Sequence, residues 1–196
     1  TTDAQATVMK MGDGGFRPAY NPQLASDVDS LVIVGVEVAT IGSDQGQMVP
    51  MIEQVRERCG QTPEAWLVDG GFVGHEQVEQ ASAHTTVYGP VPAAKDKAVD
   101  PHQPKPDDSP GVAAWRARMG TDEAKAIYKN RAATAECVNA HSRNRGLQQF
   151  RVRGLAKVKC VVLFFALAHN LMRMASLAPE MLAFGKGASA VSGIGA

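Results

Sequence analysis

Residues 128–145 read YKNRAATAECVNAHSRNR, a stretch without glycine or proline whose periodicity is helical. We therefore expect Tyr128, Arg131, Glu136 and Arg143 to lie on one continuous helix. The neighbours of Glu136 three or four residues away are alanines and one asparagine, so no basic side chain is placed to pair with it along the helix. Such a carboxylate is either a solvated surface group on a packing helix or a group that a metal ion can approach.

The spacing within this stretch resembles the Y-R-E-K signature of DDE transposases from bacterial insertion sequences. Two residues separate Tyr128 from Arg131, four separate Arg131 from Glu136, and six separate Glu136 from Arg143. The usual pattern has three or four residues between the arginine and the glutamate and ends in lysine. Arg143 at that last position keeps the positive charge, but a guanidinium differs in shape from an ammonium group. The RGL and AHNL segments that follow are also similar to the end of such transposases. The resemblance extends over residues 3–177.

Composition allows a single globular domain. A chain of 196 residues can bury one good core, and its 44% hydrophobic and 20% charged residues are ordinary values for a globular protein. The net charge of zero hides an asymmetry, because residues 1–108 carry 16 acidic and 7 basic side chains, whereas residues 109–196 carry 4 and 13. The first half is suited to holding cations and the second to holding phosphates.

Several classes of protein are disfavoured. The three cysteines, Cys59, Cys137 and Cys160, show no CxxC spacing, which argues for a reducing compartment and against a disulfide framework or a zinc site. The apolar run 158–167 is too short to span a bilayer and predicts a buried helix, so no membrane partner is expected. The chain lacks an initiator methionine, and we expect it to be a piece of a longer protein. The resemblance implies a bacterial cytoplasmic location, with nucleoid association when DNA is bound.

Strand and helix signals alternate along the chain, which predicts a mixed α/β sheet whose early strands are antiparallel. Gly12 to Gly15 form a hairpin connection, and Gly60 ends the first helix. Residues 89–110 contain six prolines and are expected to be an extended crossing loop or a partly ordered linker; residues 185–196 are expected to be a disordered tail. Strands are predicted at 16–25, 31–39, 65–69 and 85–88, and helices at 47–59, 75–83, 112–119, 121–144 and 155–177.

Asp69 stands at the end of a short apolar strand and is followed by two glycines. Open α/β sheets bind ligands at this end of their strands, although an aspartate that caps a turn is an equal alternative. The text WLVDGGFVG resembles the second-carboxylate block of the transposases, which implies that Asp69 and Glu136 are the second and third acidic residues. The first would be Asp3, ahead of the hairpin, on a strand that lacks its N-terminal half. Asp27 and Asp29 compete with it, and each also suits a turn.

The resemblance implies that these carboxylates hold two Mg²⁺ ions, for which Mn²⁺ would substitute. Positive charge follows directly in the sequence, because the segment between Cys137 and Pro179 contains basic residues and no acidic one. A basic run of this kind is usually a solvated face, but its position directly after Glu136 favours phosphate contact. The residues expected to contact DNA are Tyr128, Arg131, Arg143, Arg145, Arg151, Arg153, Lys157 and Lys159.

The prediction from sequence is therefore a ribonuclease H-like α/β domain over residues 1–178, the catalytic domain of a DDE transposase. The resemblance implies cleavage of DNA at insertion-sequence ends, strand transfer into target DNA, and self-association in the DNA complex. Two alternatives remain open: an inactive DNA-binding remnant of a transposase, and a stand-alone metal-dependent nuclease of the same fold.

Overall fold

The structure is a computed structural model that describes residues 2–179, except for the side chains of residues 132 and 133. This part of the chain has the predicted mixed α/β character, with six strands and five helices. The strands are β1 (Thr7–Lys10), β2 (Phe16–Ala19), β3 (Asn21–Ser26), β4 (Ile33–Ala39), β5 (Ala65–Leu67) and β6 (Thr86–Tyr88). The helices are α1 (Met48–Cys59), α2 (His75–Ser82), α3 (Pro110–Met119), α4 (Asp122–Asn144) and α5 (Leu155–Leu177).

The six strands do not join into the one mixed sheet that the sequence predicts. They pair two by two, β1 with β2 and β3 with β4 in antiparallel fashion and β5 with β6 in parallel. The early antiparallel pairing is as predicted, and residues 12–15 lie in the hairpin turn, where Gly14 adopts a φ of 84°. The single strand predicted at 16–25 is divided at Tyr20 into β2 and β3, and each part contains one proline. Because proline has no N–H to donate to a neighbouring strand, it limits how far the strand pairing extends.

β4 is the longer strand of the β3–β4 pair and not the central strand of a larger sheet. It is buried on both faces, as its apolar sequence predicts, and it packs against α1 and α5. Gly35 in β4 permits the close approach of α1, because a Cβ atom at this position would lie only 2.5 Å from the Met51 sulfur. The helix that lies over it ends at Gly60, which adopts the left-handed conformation predicted for a C-terminal glycine.

Two hydrophobic clusters hold the elements together. One is centred on Trp115 of α3 and includes residues of α1, α2, β6 and the first turn of α4. Trp115 is fully buried, and its indole N–H donates to the carbonyl of Gly89 at 3.1 Å. The other cluster lies between the β3–β4 pair, α4 and α5, with Val158 and Val162 of α5 at its centre. α4 therefore contributes to both clusters, through Ala124 in the first and Val138 in the second.

The proline-rich connection runs without helix or strand from residue 89 to residue 109 and is fastened to the helices near its end. The guanidinium of Arg116 pairs with Asp108 at 2.7 Å, donates to the carbonyl of Pro101 at 3.3 Å, and lies 3.1 Å from Nε2 of His75. Arg116 and Asp108 are almost completely buried, with side chains 5% and 3% exposed. This ion pair anchors the extended crossing predicted from the prolines.

The two long helices have the predicted bounds. Thr121 caps α4, its hydroxyl accepting a hydrogen bond from the Ala124 N–H at 3.2 Å, and acidic residues occupy the first turn. α5 buries one side against β4, but many side chains on its other side are exposed, so the prediction of a buried helix holds for one face only. By length and composition it is apolar enough to cross a membrane. The tail predicted at residues 185–196 lies outside the described residues.

The AHNL segment fixes α5 to the start of β4. Asn170 accepts a hydrogen bond from the Ile33 N–H and donates one to the Ile33 carbonyl, both at 2.8 Å. His169 is buried, and its Nε2 donates to the carbonyl of Leu31 at 2.8 Å. Leu31 has a φ of 59°, unusual for a leucine, so His169 and Asn170 secure a strained turn as well as a helix.

Candidate active site

A cleft of about 1270 Å³ lies between the β3–β4 pair, α1, β5 and one face of α4. Its lining is partly apolar and partly polar, and both carboxylates and guanidinium groups reach it. The ionisable and amide side chains in its lining include Asn21, Gln23, Asp27, Asp44, Asp69, Arg131, Asn139 and Arg143. The cleft therefore brings together residues from the acidic first half of the chain and the basic second half.

Asp69 lies just beyond the end of β5, where the sequence predicts it. One carboxylate oxygen accepts a hydrogen bond from Nη2 of Arg131 at 3.0 Å, and the other accepts one from the Gly71 N–H at 2.9 Å. The Asp69 side chain is 43% exposed and that of Arg131 is 25% exposed. Asp69 thus caps the turn, which is one of the two roles that the sequence left open for it, and its charge is balanced by Arg131.

The α4 face that borders the cleft carries Arg131, Ala135, Asn139 and Arg143, at the spacing of successive turns. Glu136 precedes Arg143 by seven residues, nearly two turns, so its direction is only about 20° around the helix from Arg143, at one edge of that face. Its side chain is exposed, and among the described residues it has no hydrogen bond or ion pair. The prediction that Glu136 lacks a local basic partner is consistent with this arrangement, and Glu136 itself is not among the residues that line the cleft.

Asp3 is engaged elsewhere. Its carboxylate accepts hydrogen bonds from the Tyr20 hydroxyl at 2.8 Å, the Gly154 N–H at 2.9 Å and the Gln5 N–H at 3.1 Å. The bond from Gly154 contributes most to holding the pKa of the Asp3 carboxyl below its usual value. Asp3 does not line the cleft. It ties the N-terminal segment to the residue just before α5, which is a structural role that local sequence cannot show.

The structure does not assemble the predicted three-carboxylate group. Asp3, Asp69 and Glu136 all lie within residues 2–179, and in that range no three side chains of Asp, Glu, His or Cys are grouped so that they could hold a metal ion. The competing Asp27 borders the cleft but accepts hydrogen bonds from the N–H and hydroxyl of Ser30, the turn role foreseen for it. These residues, as they stand, do not fit a two-ion centre.

Asp44 is a cleft residue that the sequence reasoning missed. One of its oxygens accepts hydrogen bonds from Asn21 at 2.8 Å and from Gln23 at 2.7 Å. A Cβ atom at Gly71 would lie 3.0 Å from the other Asp44 oxygen and 3.1 Å from an Asp69 oxygen, so the two carboxylates meet at this glycine. Asp44 lies well beyond the end of β4, and the side chains that bind it are 23 and 21 positions away in the sequence, so no local pattern marks it.

The residues predicted to contact DNA divide into two groups. Tyr128 packs against the Trp115 cluster, and burial raises the pKa of its hydroxyl; Lys159 pairs with Glu37 at 2.8 Å, and Arg131 pairs with Asp69. These three side chains are committed within the chain. The exposed basic residues of the predicted set are Arg143, Arg145, Arg151, Arg153 and Lys157.

Comparison with known proteins supplies one match. Residues 102–175 match the family model described as "Transposase DDE domain". No curated protein and no solved structure matches the chain. The matched range begins within the proline-rich connection, runs almost to the end of α5, and includes Arg131, Glu136 and Arg143. This match supports a DDE transposase, and with it DNA as the partner and transposase-type cleavage and transfer of DNA as the activity.

Proposed function

We propose that this chain provides the catalytic domain of a bacterial insertion-sequence transposase of the Y-R-E-K type. In this proposal residues 1–178 form a ribonuclease H-like domain that cleaves DNA at the ends of the element and transfers the freed strand into target DNA. It works in the bacterial cytoplasm, as part of a self-associated complex on DNA. The match to a transposase DDE domain over residues 102–175 supports this assignment.

The observation that carries the proposal is the contact between Asp69 and Arg131. These residues are 62 positions apart, and the resemblance to DDE transposases selected each from a separate block of sequence. Their side chains meet at 3.0 Å in the cleft between the β3–β4 pair, β5 and α4. A common site would account for a contact between two residues that were selected from separate blocks, whereas an ordinary surface ion pair would not.

The same contact suggests how the free chain differs from the DNA-bound one. Because both side chains are partly exposed, the Asp69–Arg131 pair is worth only about 0.2–1 kcal/mol. A phosphate group can form two charge-assisted hydrogen bonds with a guanidinium, so DNA in the cleft would compete for Arg131. Arg143, exposed on the same face of α4, would hold a neighbouring phosphate. Transfer of Arg131 to DNA would leave the Asp69 carboxylate available.

DDE transposases generally use divalent metal ions, which would activate the attacking oxygen and stabilise the leaving one. For this chain we propose two Mg²⁺ ions, with Mn²⁺ as a substitute. Their site is not formed by the free arrangement, in which Asp3 is held by Gly154 and Asp69 by Arg131. Asp69 and Glu136 are the proposed ligands in the DNA-bound state.

A second candidate is an inactive DNA-binding remnant of such an enzyme. The separation of Asp3 from the cleft favours it, because a site with one acidic residue missing would still bind DNA through its basic residues. The two candidates differ in one measurable respect, since only the first requires Asp69 and Glu136 for chemistry.

The test measures DNA binding and Mg²⁺-dependent nicking of supercoiled plasmid by the same preparations. The proposal predicts that Asp69→Asn and Glu136→Gln abolish nicking while DNA binding is retained. The matched controls are Asp107→Asn in the proline-rich connection and Glu123→Gln in the first turn of α4, both exposed and both expected to nick like the parent chain. Binding without nicking by the parent chain would select the remnant instead.

A further inference from the structure

The outer face of α5 carries a run of exposed apolar side chains. Phe164 is 70% exposed, Leu167 54%, Leu171 46% and Met172 43%. The opposite side of the same helix is buried against β4 and α4 through Val158, Val162, Ala166 and His169. α5 is therefore anchored in the protein on one side and offers a continuous apolar surface on the other.

The spacing on this face is that of a helix-pairing seam. Cys160, Phe164, Leu167 and Leu171 follow one another at intervals of four, three and four residues, the repeat that keeps side chains facing a partner helix. No acidic residue occurs anywhere in α5, and Arg173 is directed away to donate to the carbonyl of Ser30 at 2.7 Å. The seam is thus uncharged from Cys160 to Leu171.

The exposed area is sufficient for a modest interface. From the exposed fractions, the apolar side chains of this face present roughly 500 Å², within the range of the largest patch on a typical monomer. Two such faces together would bury about 1000 Å², near the lower bound for a specific protein interface. A second copy of the same surface is thus a partner of adequate size.

Charge determines the orientation. The basic residues Arg151, Arg153 and Lys157 lie at the N-terminal end of α5, where the helix dipole is already positive. A parallel pair would place these charges side by side, whereas an antiparallel pair would place each set beside the partner's C-terminal carbonyl groups. We propose that the outer face of α5 pairs with the same face of a second copy of this chain, antiparallel around a two-fold axis.

This contact requires no DNA and does not depend on the chemistry proposed above. Nor does it call for α5 to leave the protein. Insertion of the whole helix into a membrane would break the hydrogen bonds of His169 to Leu31 and of Asn170 to Ile33, which hold it on β4. Those buried contacts favour a protein partner for the exposed side.

The first test measures the mass of the chain in solution without DNA, by sedimentation velocity. The parent chain is expected to form a dimer with a micromolar dissociation constant, and Phe164→Glu and Leu167→Glu are each expected to weaken it at least about tenfold. Phe16→Glu is the matched control, because Phe16 on β2 is also 70% exposed and lies outside the seam. Circular dichroism would confirm that all variants remain folded.

The second test fixes the orientation by cross-linking. In the antiparallel pair Cys160 of one copy faces Leu171 of the other, so Leu171→Cys in a Cys59→Ser background should give, on oxidation by added oxidised glutathione, a disulfide between positions 160 and 171 of different copies. A monomeric parent chain at about 100 μM, or equal effects of Phe16→Glu and Phe164→Glu, would overturn the proposal. So would a disulfide joining Cys160 to Cys160, or flotation of the parent chain with phosphatidylcholine vesicles that Phe164→Glu abolishes.

Discussion

Replacement of Asn170 by alanine is a sharp test of how α5 is held on the fold. The Asn170 amide makes two hydrogen bonds to the same residue, accepting from the Ile33 N–H and donating to the Ile33 carbonyl, each at 2.8 Å. Ile33 is the first residue of β4 and is 5% exposed. The substitution therefore leaves the N–H and the carbonyl of Ile33 without their side-chain partner, at a strand end that water reaches poorly.

The expected cost follows from the number of groups left without a partner. An unsatisfied buried donor or acceptor costs about 1–3 kcal/mol, and partial access of water to the vacated space offsets some of it. For two groups we expect Asn170→Ala to lower the free energy of unfolding by about 2–4 kcal/mol. Asn170→Asp keeps an acceptor for the Ile33 N–H but sets a carboxylate oxygen against the Ile33 carbonyl, so it should not restore stability.

The assay is urea unfolding followed by circular dichroism, with the change read from the midpoint at constant slope. Asn144→Ala is the control, because Asn144 is exposed at the end of α4 and its loss is expected to change the free energy of unfolding by less than about 0.5 kcal/mol. If Asn170→Ala changed stability no more than this control, the AHNL segment would not be the attachment that the contacts describe.

Three further predictions concern the core. Asp108→Ala removes the carboxylate partner of the buried Arg116 guanidinium and should lower the free energy of unfolding in urea by about 3–5 kcal/mol. Asp107→Ala, at the exposed neighbouring position, should change it little. Equal effects of the two substitutions would contradict the anchoring of the proline-rich connection. Gly35→Ala forces a Cβ atom toward the Met51 sulfur and should lower the free energy of unfolding by about 1–3 kcal/mol. An unchanged urea midpoint would show that α1 can shift freely. Burial is the main cause that holds the pKa of His169 below its ordinary 6.5, so stability should be full above pH 6.5 and decline as the pH falls below it. This decline should be absent in His169→Gln.

Sequence alone was sufficient wherever a feature depends on near neighbours. The helix formed by residues 155–177 has the bounds predicted from its pattern, and Gly60 ends α1 as a left-handed cap should. Asp69 also lies where an apolar strand followed by two glycines places it. In each case the deciding interactions, helix hydrogen bonds or a local turn, lie within a few residues of one another.

The features that the sequence did not predict depend on contacts between distant residues. The hydrogen bond from Gly154 to Asp3 joins positions 151 residues apart and removes Asp3 from the proposed site. The pairing of six short strands into three ladders depends on how the helices pack between them, and the meeting of Asp44 with Asp69 depends on the turn at Gly71. Neither a hydrophobic pattern nor a motif contains such information.

The proposal that Asp69 and Glu136 serve one site on DNA is tested most directly by paramagnetic broadening from Mn²⁺ in nuclear magnetic resonance spectra of the chain. With a DNA duplex bound, we expect the amide signals of Gly70, Gly71 and the residues flanking Glu136 to broaden together. Asp69→Asn and Glu136→Gln should each remove the effect at both places, and Glu123→Gln should leave it unchanged. Broadening at only one of the two places, or at neither while DNA remains bound, would contradict a shared site.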